Sequence, residues 1–187
     1  MLDTIFGLPV HPLIVHATTV VVPAAAVTVL LSAVWPRFRR WAAWMPLALS
    51  VLAVVLTPLS TESGESLERH VEHSDLIETH SQLAEGLLPW VIGLAVAAAL
   101  LFVVARRERG AVPTVAPSAS AADPTDETPA RTSLVPRWLL VAGAVVGLVA
   151  ALGTTVQVVR IGHSGAQAAW SDSVSQTPAP AGGDDGN

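Results

Sequence analysis

Long apolar runs alternate with short polar ones along this chain, and four of the runs are long enough to matter. They extend from about Pro9 to Trp35, Trp41 to Leu59, Gly86 to Ala105 and Trp138 to Ile161. Crossing the hydrocarbon of a bilayer takes roughly 20 helical residues, and each run is close to that length. None contains an acidic residue, and arginines appear only at the edges. In lipid the backbone must satisfy its own hydrogen bonds, so each run is predicted to be helical despite its β-branched content. Pro9 and Pro12 suit the first turn of the first helix, whereas Pro23, Pro46 and Pro89 lie inside runs and predict kinks. The expected fold is all-α, a four-helix transmembrane bundle.

The stretch Thr61 to Glu85 between the second and third runs cannot span a membrane. Its apolar positions, Leu67 and Val71, then Leu76, Ile77, Leu83 and Leu87, predict one or two amphipathic helices lying on or entering the surface. Asp75 and Glu78 have the spacing of a capping box, which predicts that the third helix begins there and runs unbroken into the membrane. Gly143, Gly147, Ala150, Thr154 and Gln157 form a stripe of small residues on the fourth helix ending in a polar one, the pattern of close helix packing in lipid. Residues 110–133 and 171–187 have no apolar periodicity and are rich in Ala, Pro, Ser, Thr or Gly, so they read as a disordered linker and tail. The chain thus divides into 1–109 (three helices with an acidic outer segment, 60–85), the linker 110–133, 134–170 (the fourth helix and its outer end) and the tail 171–187. The sequence shows no internal repeat.

Composition agrees with lipid as solvent. Only 13% of residues are charged and 51% are hydrophobic, where a soluble domain carries about 25% charged residues. A net charge of -5 argues against a nucleic-acid partner. With no Cys, disulfides, thiolate metal sites and cysteine nucleophiles are excluded. Arg37, Arg39 and Arg40 follow the first run, and Arg106, Arg107, Arg109, Arg131 and Arg137 lie between the third and fourth; only Arg69 and Arg160 fall on the other side. The positive-inside rule then predicts both termini outside the membrane (N-out, C-out). Met1 to Thr4 lack the basic character of a signal peptide, so the first helix is expected to stay in the mature protein. Trp35, Trp41, Trp44, Trp90 and Trp138 fall near run ends, as in an aromatic belt.

On that topology all six histidines, His11, His16, His70, His73, His80 and His163, belong to the outer, extracytoplasmic third. His80 shares a stripe with Leu76, Leu83 and Leu87, and His16 with Pro12, Thr19 and Pro23; both are predicted to face the bundle interior, while His11 faces elsewhere. Two neutral imidazoles on facing helices are what haem b needs, which makes His16, His80 and His163 candidate haem ligands and Arg160 a candidate partner for a propionate. His16, His80, His163 and His73 are equally candidate ligands for Zn or Cu. Each has a plainer reading: interfacial histidines are cheap, an acidic run is usually a solvated face, and Arg160 is placed to snorkel.

No catalytic set is present. His70-Val71-Glu72-His73 has the wrong spacing for a zinc-protease signature, and no Gly-x-Ser-x-Gly elbow occurs. The expected function is a haem- or metal-binding electron-transfer module using outer-face histidines. The alternative is a non-enzymatic membrane subunit, or an assembly partner working with another membrane protein or a second copy. Clustered His and Glu also suit proton sensing. The bilayer is the partner common to all three.

The segment Gly7-Leu8-Pro9-Val10-His11-Pro12-Leu13-Ile14-Val15-His16 resembles the His-Pro-x-x-Val-His opening of bacterial membrane proteins grouped as domain of unknown function 2231. Residues 60–71 (STESGESLERHV), 78–85 (ETHSQLAE) and 160–166 (RIGHSGA) resemble outer segments of its actinobacterial members. The resemblance covers most of residues 7–170. Where members carry Phe-Pro after the second histidine, this chain has Ala17-Thr18. It implies four membrane helices and no established activity, so no catalytic residue carries over.

Overall fold

Proline, glycine and the caps decide where the helices of this computed structural model begin and end. It describes residues 4–5, 8–69, 74–110 and 136–175. Two short strands, β1 (Thr4–Ile5) and β2 (Leu8–Pro9), pair antiparallel ahead of α1 (Val10–Val34). Pro36 opens α2 (Pro36–Ala42), and Pro46 lies in the first turn of α3 (Met45–Glu68). Then follow α4 (Asp75–Glu85), α5 (Leu88–Gly110) and α6 (Arg137–Ser175). Four stretches are long and apolar enough to cross a membrane: His11–Val34, Met45–Glu68, Asp75–Arg109 and Arg137–Trp170.

The four long helices form a ring in which α1 neighbours α3 and α6, and α5 neighbours α3 and α6. This is the up-and-down bundle that short connections favour. Val22, Ala25 and Val29 of α1, Ala53 of α3, Val91, Leu94 and Leu101 of α5 and Ala150 of α6 meet at its centre. The outward faces carry Val20, Val27, Val51, Val55, Val145, Val149, Val156 and Val159, all exposed. Such a surface would drive aggregation in water and is matched to hydrocarbon. One end of the bundle gathers Arg37, Arg40, Arg106 and Arg107; the other gathers the start of α1, the end of α3, α4 and the later turns of α6.

The small-residue stripe on α6 is buried along its whole length, as its pattern predicts. A Cβ added at Gly147 would lie 3.2 Å from Val29 Cγ1, and one at Gly93 of α5 would lie 3.2 Å from Ala150 Cβ. Small residues therefore set the distance between these helices.

Several boundaries differ from the sequence expectation. The cap of α4 is Ser74, whose Oγ accepts from the Ile77 N–H at 3.3 Å, and Asp75 and Glu78 both lie within the first turn rather than forming a capping box. Nor does α4 run unbroken into the membrane, because a turn at Gly86–Leu87 separates it from α5. There Leu87 N–H bonds Ala84 O at 3.1 Å, so the Leu83 carbonyl loses its helical donor and accepts from Gln157 Nε2 instead. Pro89 has no N–H to continue the ladder. Pro46 and Pro89 thus lie in first turns, where a missing N–H costs little, and do not kink a helix interior; Pro23 and Pro58 are the prolines inside helices. Within the acidic segment, residues 61–68 continue α3. At its far end α6 continues to Ser175, taking in the first five residues of the stretch read as a tail. Linker residues 111–133 and tail residues 176–187 lie outside the described residues.

Candidate functional site: a pair of cradled histidines

His11 stands in the first turn of α1 on the face that also carries Thr18, Val22, Ala25, Val29 and Ser32, all buried. Its ring reaches α3, where Nδ1 lies 2.9 Å from Ser63 Oγ. The proton on that bond follows from where the Ser63 O–H goes. Ser63 has a single O–H, and it donates to Ser60 O at 3.0 Å. With that O–H so donated, the serine oxygen accepts from the ring: Nδ1 then carries the hydrogen and, in the neutral imidazole, Nε2 holds the free lone pair. The next residue is Gly64, and a Cβ built on it would lie 3.3 Å from His11 Cε1. The ring uses the space that this glycine leaves.

His80 repeats the arrangement on the other half of the molecule. It lies on the inner face of α4, half-buried, with Nδ1 3.1 Å from Ser164 Oγ of α6. Ser164 has the same kind of second partner, Ile161 O at 3.0 Å; with its O–H donated there, Nδ1–H is again the donor and Nε2 the free nitrogen. Gly165 follows, and a Cβ there would lie 3.0 Å from His80 Cε1. The two cradles lie at the same end of the bundle, one between α1 and α3 and the other between α4 and α6. Ser81 Oγ donates to Glu68 Oε2 at 2.9 Å, tying α4 to the end of α3 at this mouth of the bundle.

The other residues singled out from sequence do not join this pair. His16 is exposed and does not face the interior; its Nδ1 donates to Pro12 O of its own helix at 2.6 Å. It lies nearly opposite the buried face, which passes instead through His11. His163 and Arg160 are exposed on α6, His163 one residue from the serine that holds His80. His73, like His70, lies outside the described residues. Among the described residues no three His, Asp or Glu side chains gather as a metal site.

His11 is thus the functional candidate that the stripe argument missed. Its signal is a seven-residue series, His11, Thr18, Ala25 and Ser32, small or polar at every step. A second signal is the dipeptide Ser-Gly, which occurs at 63–64 and again at 164–165, once for each ring.

Residues 7–178 match the family model described as a predicted membrane protein, DUF2231. The chain belongs to the DUF2231 family. The matched stretch takes in every DUF2231 residue of the mouth, from His11 to Gly165, together with all four long helices. The family description names a membrane location and no activity, in keeping with the earlier resemblance. No match to this DUF2231 chain was found among curated proteins or among solved structures.

Proposed function

We propose that this multi-pass membrane protein holds a metal centre between His11 and His80 and serves in electron transfer. One observation carries the proposal: each ring turns Nδ1 to a serine whose own O–H has a helix carbonyl to donate to, which leaves both Nε2 atoms free at the same end of the bundle. A ligating histidine characteristically donates its other N–H to a fixed acceptor, which orients the ring and raises its basicity. Two imidazoles suit the axial positions of haem iron, or copper. Structural zinc prefers four protein ligands, and the described residues offer no third. If the centre is a haem, it supplies a one-electron couple, and Arg160 is placed on α6, one turn before Ser164, to pair with a propionate. In this proposal His80 is a ligand, as first considered from sequence, and His11 is proposed in place of His16 and His163. The arginine distribution supports an N-out, C-out orientation in a bacterial plasma membrane, with this mouth on the extracytoplasmic side.

The test is an absorption spectrum and metal analysis of protein purified from haem-replete cells. A Soret band indicates haem; stoichiometric copper or zinc without one indicates a bare ion. His11→Ala and His80→Ala are each expected to lower occupancy at least about tenfold, and His16→Ala to leave it unchanged. Protein carrying neither haem nor stoichiometric metal would sink the proposal and favour a cofactor-free membrane subunit or assembly partner.

A further inference from the structure

The two cradles share more than their chemistry. Steps of 7, 11, 14, 18 and 21 residues from His11 lead along α1 to Thr18, Val22, Ala25, Val29 and Ser32, all buried. The same steps from His80 lead through α4 and α5 to Leu87, Val91, Leu94, Ala98 and Leu101, again all buried. Steps of 11, 14 and 18 back from Gly64 reach Ala53, Ser50 and Pro46; from Gly165 they reach Thr154, Ala151 and Gly147, and all six are buried. Exchanging α1 with α5 and α3 with α6 also maps every neighbour in the ring onto a neighbour.

From this we infer that the bundle is built of two equivalent helical hairpins related by a two-fold axis along its length. Each hairpin supplies one copy of the same site: a histidine at the outer start of its first segment and a Ser-Gly pair at the outer end of its second. The repeat is masked in sequence because the diagonal helices are complementary in size. At steps 7, 14 and 21, α1 has Thr18, Ala25 and Ser32 where the partner segment has Leu87, Leu94 and Leu101. Small against large at facing positions lets two such stripes share one core. The ligand of the mouth, resting here on the metal-centre proposal above, is then a single metal centre on the axis that takes the two Nε2 atoms as equivalent donors. Ser63 and Ser164 are positioning residues of equal weight.

The test has two readouts on the full-length protein in detergent. In metal-free protein labelled with 15N-histidine, NMR is expected to show His11 and His80 both in the Nδ1–H tautomer. Ser63→Ala should perturb only His11, and Ser164→Ala only His80. With hemin added, His11→Gly and His80→Gly should each convert a low-spin spectrum to high-spin, and free imidazole should restore both. The duplication is overturned if either ring carries its proton on Nε2 or ignores its serine. It is also overturned if only one of the two glycine variants changes the spin state. Failure of the wild type to take hemin, copper or zinc, with both rings still in the Nδ1–H tautomer, removes the metal-centre proposal and supports the duplicated cradle on its own.

Discussion

A single hydrogen atom decides the character of Gly153. A Cβ built there would run into the Trp90 ring, well inside contact distance and against a rigid group. Gly153→Ala must push the indole aside or separate α5 from α6, and overpacking of this kind costs about 1–3 kcal/mol. Denaturant unfolding in detergent should register that loss, and Trp90→Ala in the same chain should recover most of it, since the two positions couple directly. Side-chain scale is also where the sequence misled. His16 looked interior because it shares a stripe with Pro12, Thr19 and Pro23. In the fold these polar groups are satisfied within their own helix: His16 donates to Pro12 O, and Thr19 Oγ1 donates to His16 O at 3.0 Å. A residue that bonds back to its own turn can face outward, so polarity alone did not mark the inner face. His80 was legible because its stripe is apolar and runs inward, from exposed Leu76 through half-buried Leu83 to buried Leu87.

Among the elements, the four long helices were legible because lipid leaves a backbone no other option, and length and apolarity then suffice to find them. The turn between α4 and α5 was not legible, because it depends on a partner 74 positions away in the chain. Gly86 and Pro89 permit the break, but Gln157 is what makes it affordable by donating to the Leu83 carbonyl. The same side chain fills the space beside Gly86, where a Cβ would lie 2.9 Å from Nε2. Gln157→Leu removes the donor and leaves that carbonyl unpaired, at an expected cost of about 1–3 kcal/mol. The loss should be local: hydrogen exchange should accelerate across α4 while the middle of α1 stays protected. Uniform acceleration through all four long helices would show that Gln157 supports the bundle generally and not this turn. Because α4 carries His80, the same variant should also loosen the His80–Ser164 bond while leaving the His11–Ser63 bond intact.

At the scale of the whole molecule, the end opposite the histidines is held by one ion pair. Arg39 and Glu108 meet at 2.8 Å with side-chain exposures of 4% and 23%, and Arg39 Nη1 also donates to Ser32 O at 2.9 Å. In sequence Arg39 is one of several arginines on which the expected orientation rests, indistinguishable from Arg37 and Arg40; only the fold buries it and leaves those two exposed. The pair joins α2 to α5, and through Ser32 to α1, so it links the two hairpins far from the mouth. Arg39 Nε and Glu108 Oε2 have no partner, so the contact uses one arm of a fork that accommodates two. Breaking a buried pair from one side strands a charge, which costs roughly 3–5 kcal/mol, whereas replacing both partners by apolar groups is often neutral. Glu108→Leu alone should therefore destabilise the bundle strongly, and Arg39→Met with Glu108→Leu should return most of the stability in an unfolding titration. The single and double variants separate two roles. Recovery in the double variant means the pair is tolerated where it stands, and the apolar core supplies the cohesion between hairpins. Equal instability in both means the charges themselves hold the hairpins together, and the histidine mouth at the other end should then lose its geometry in either variant.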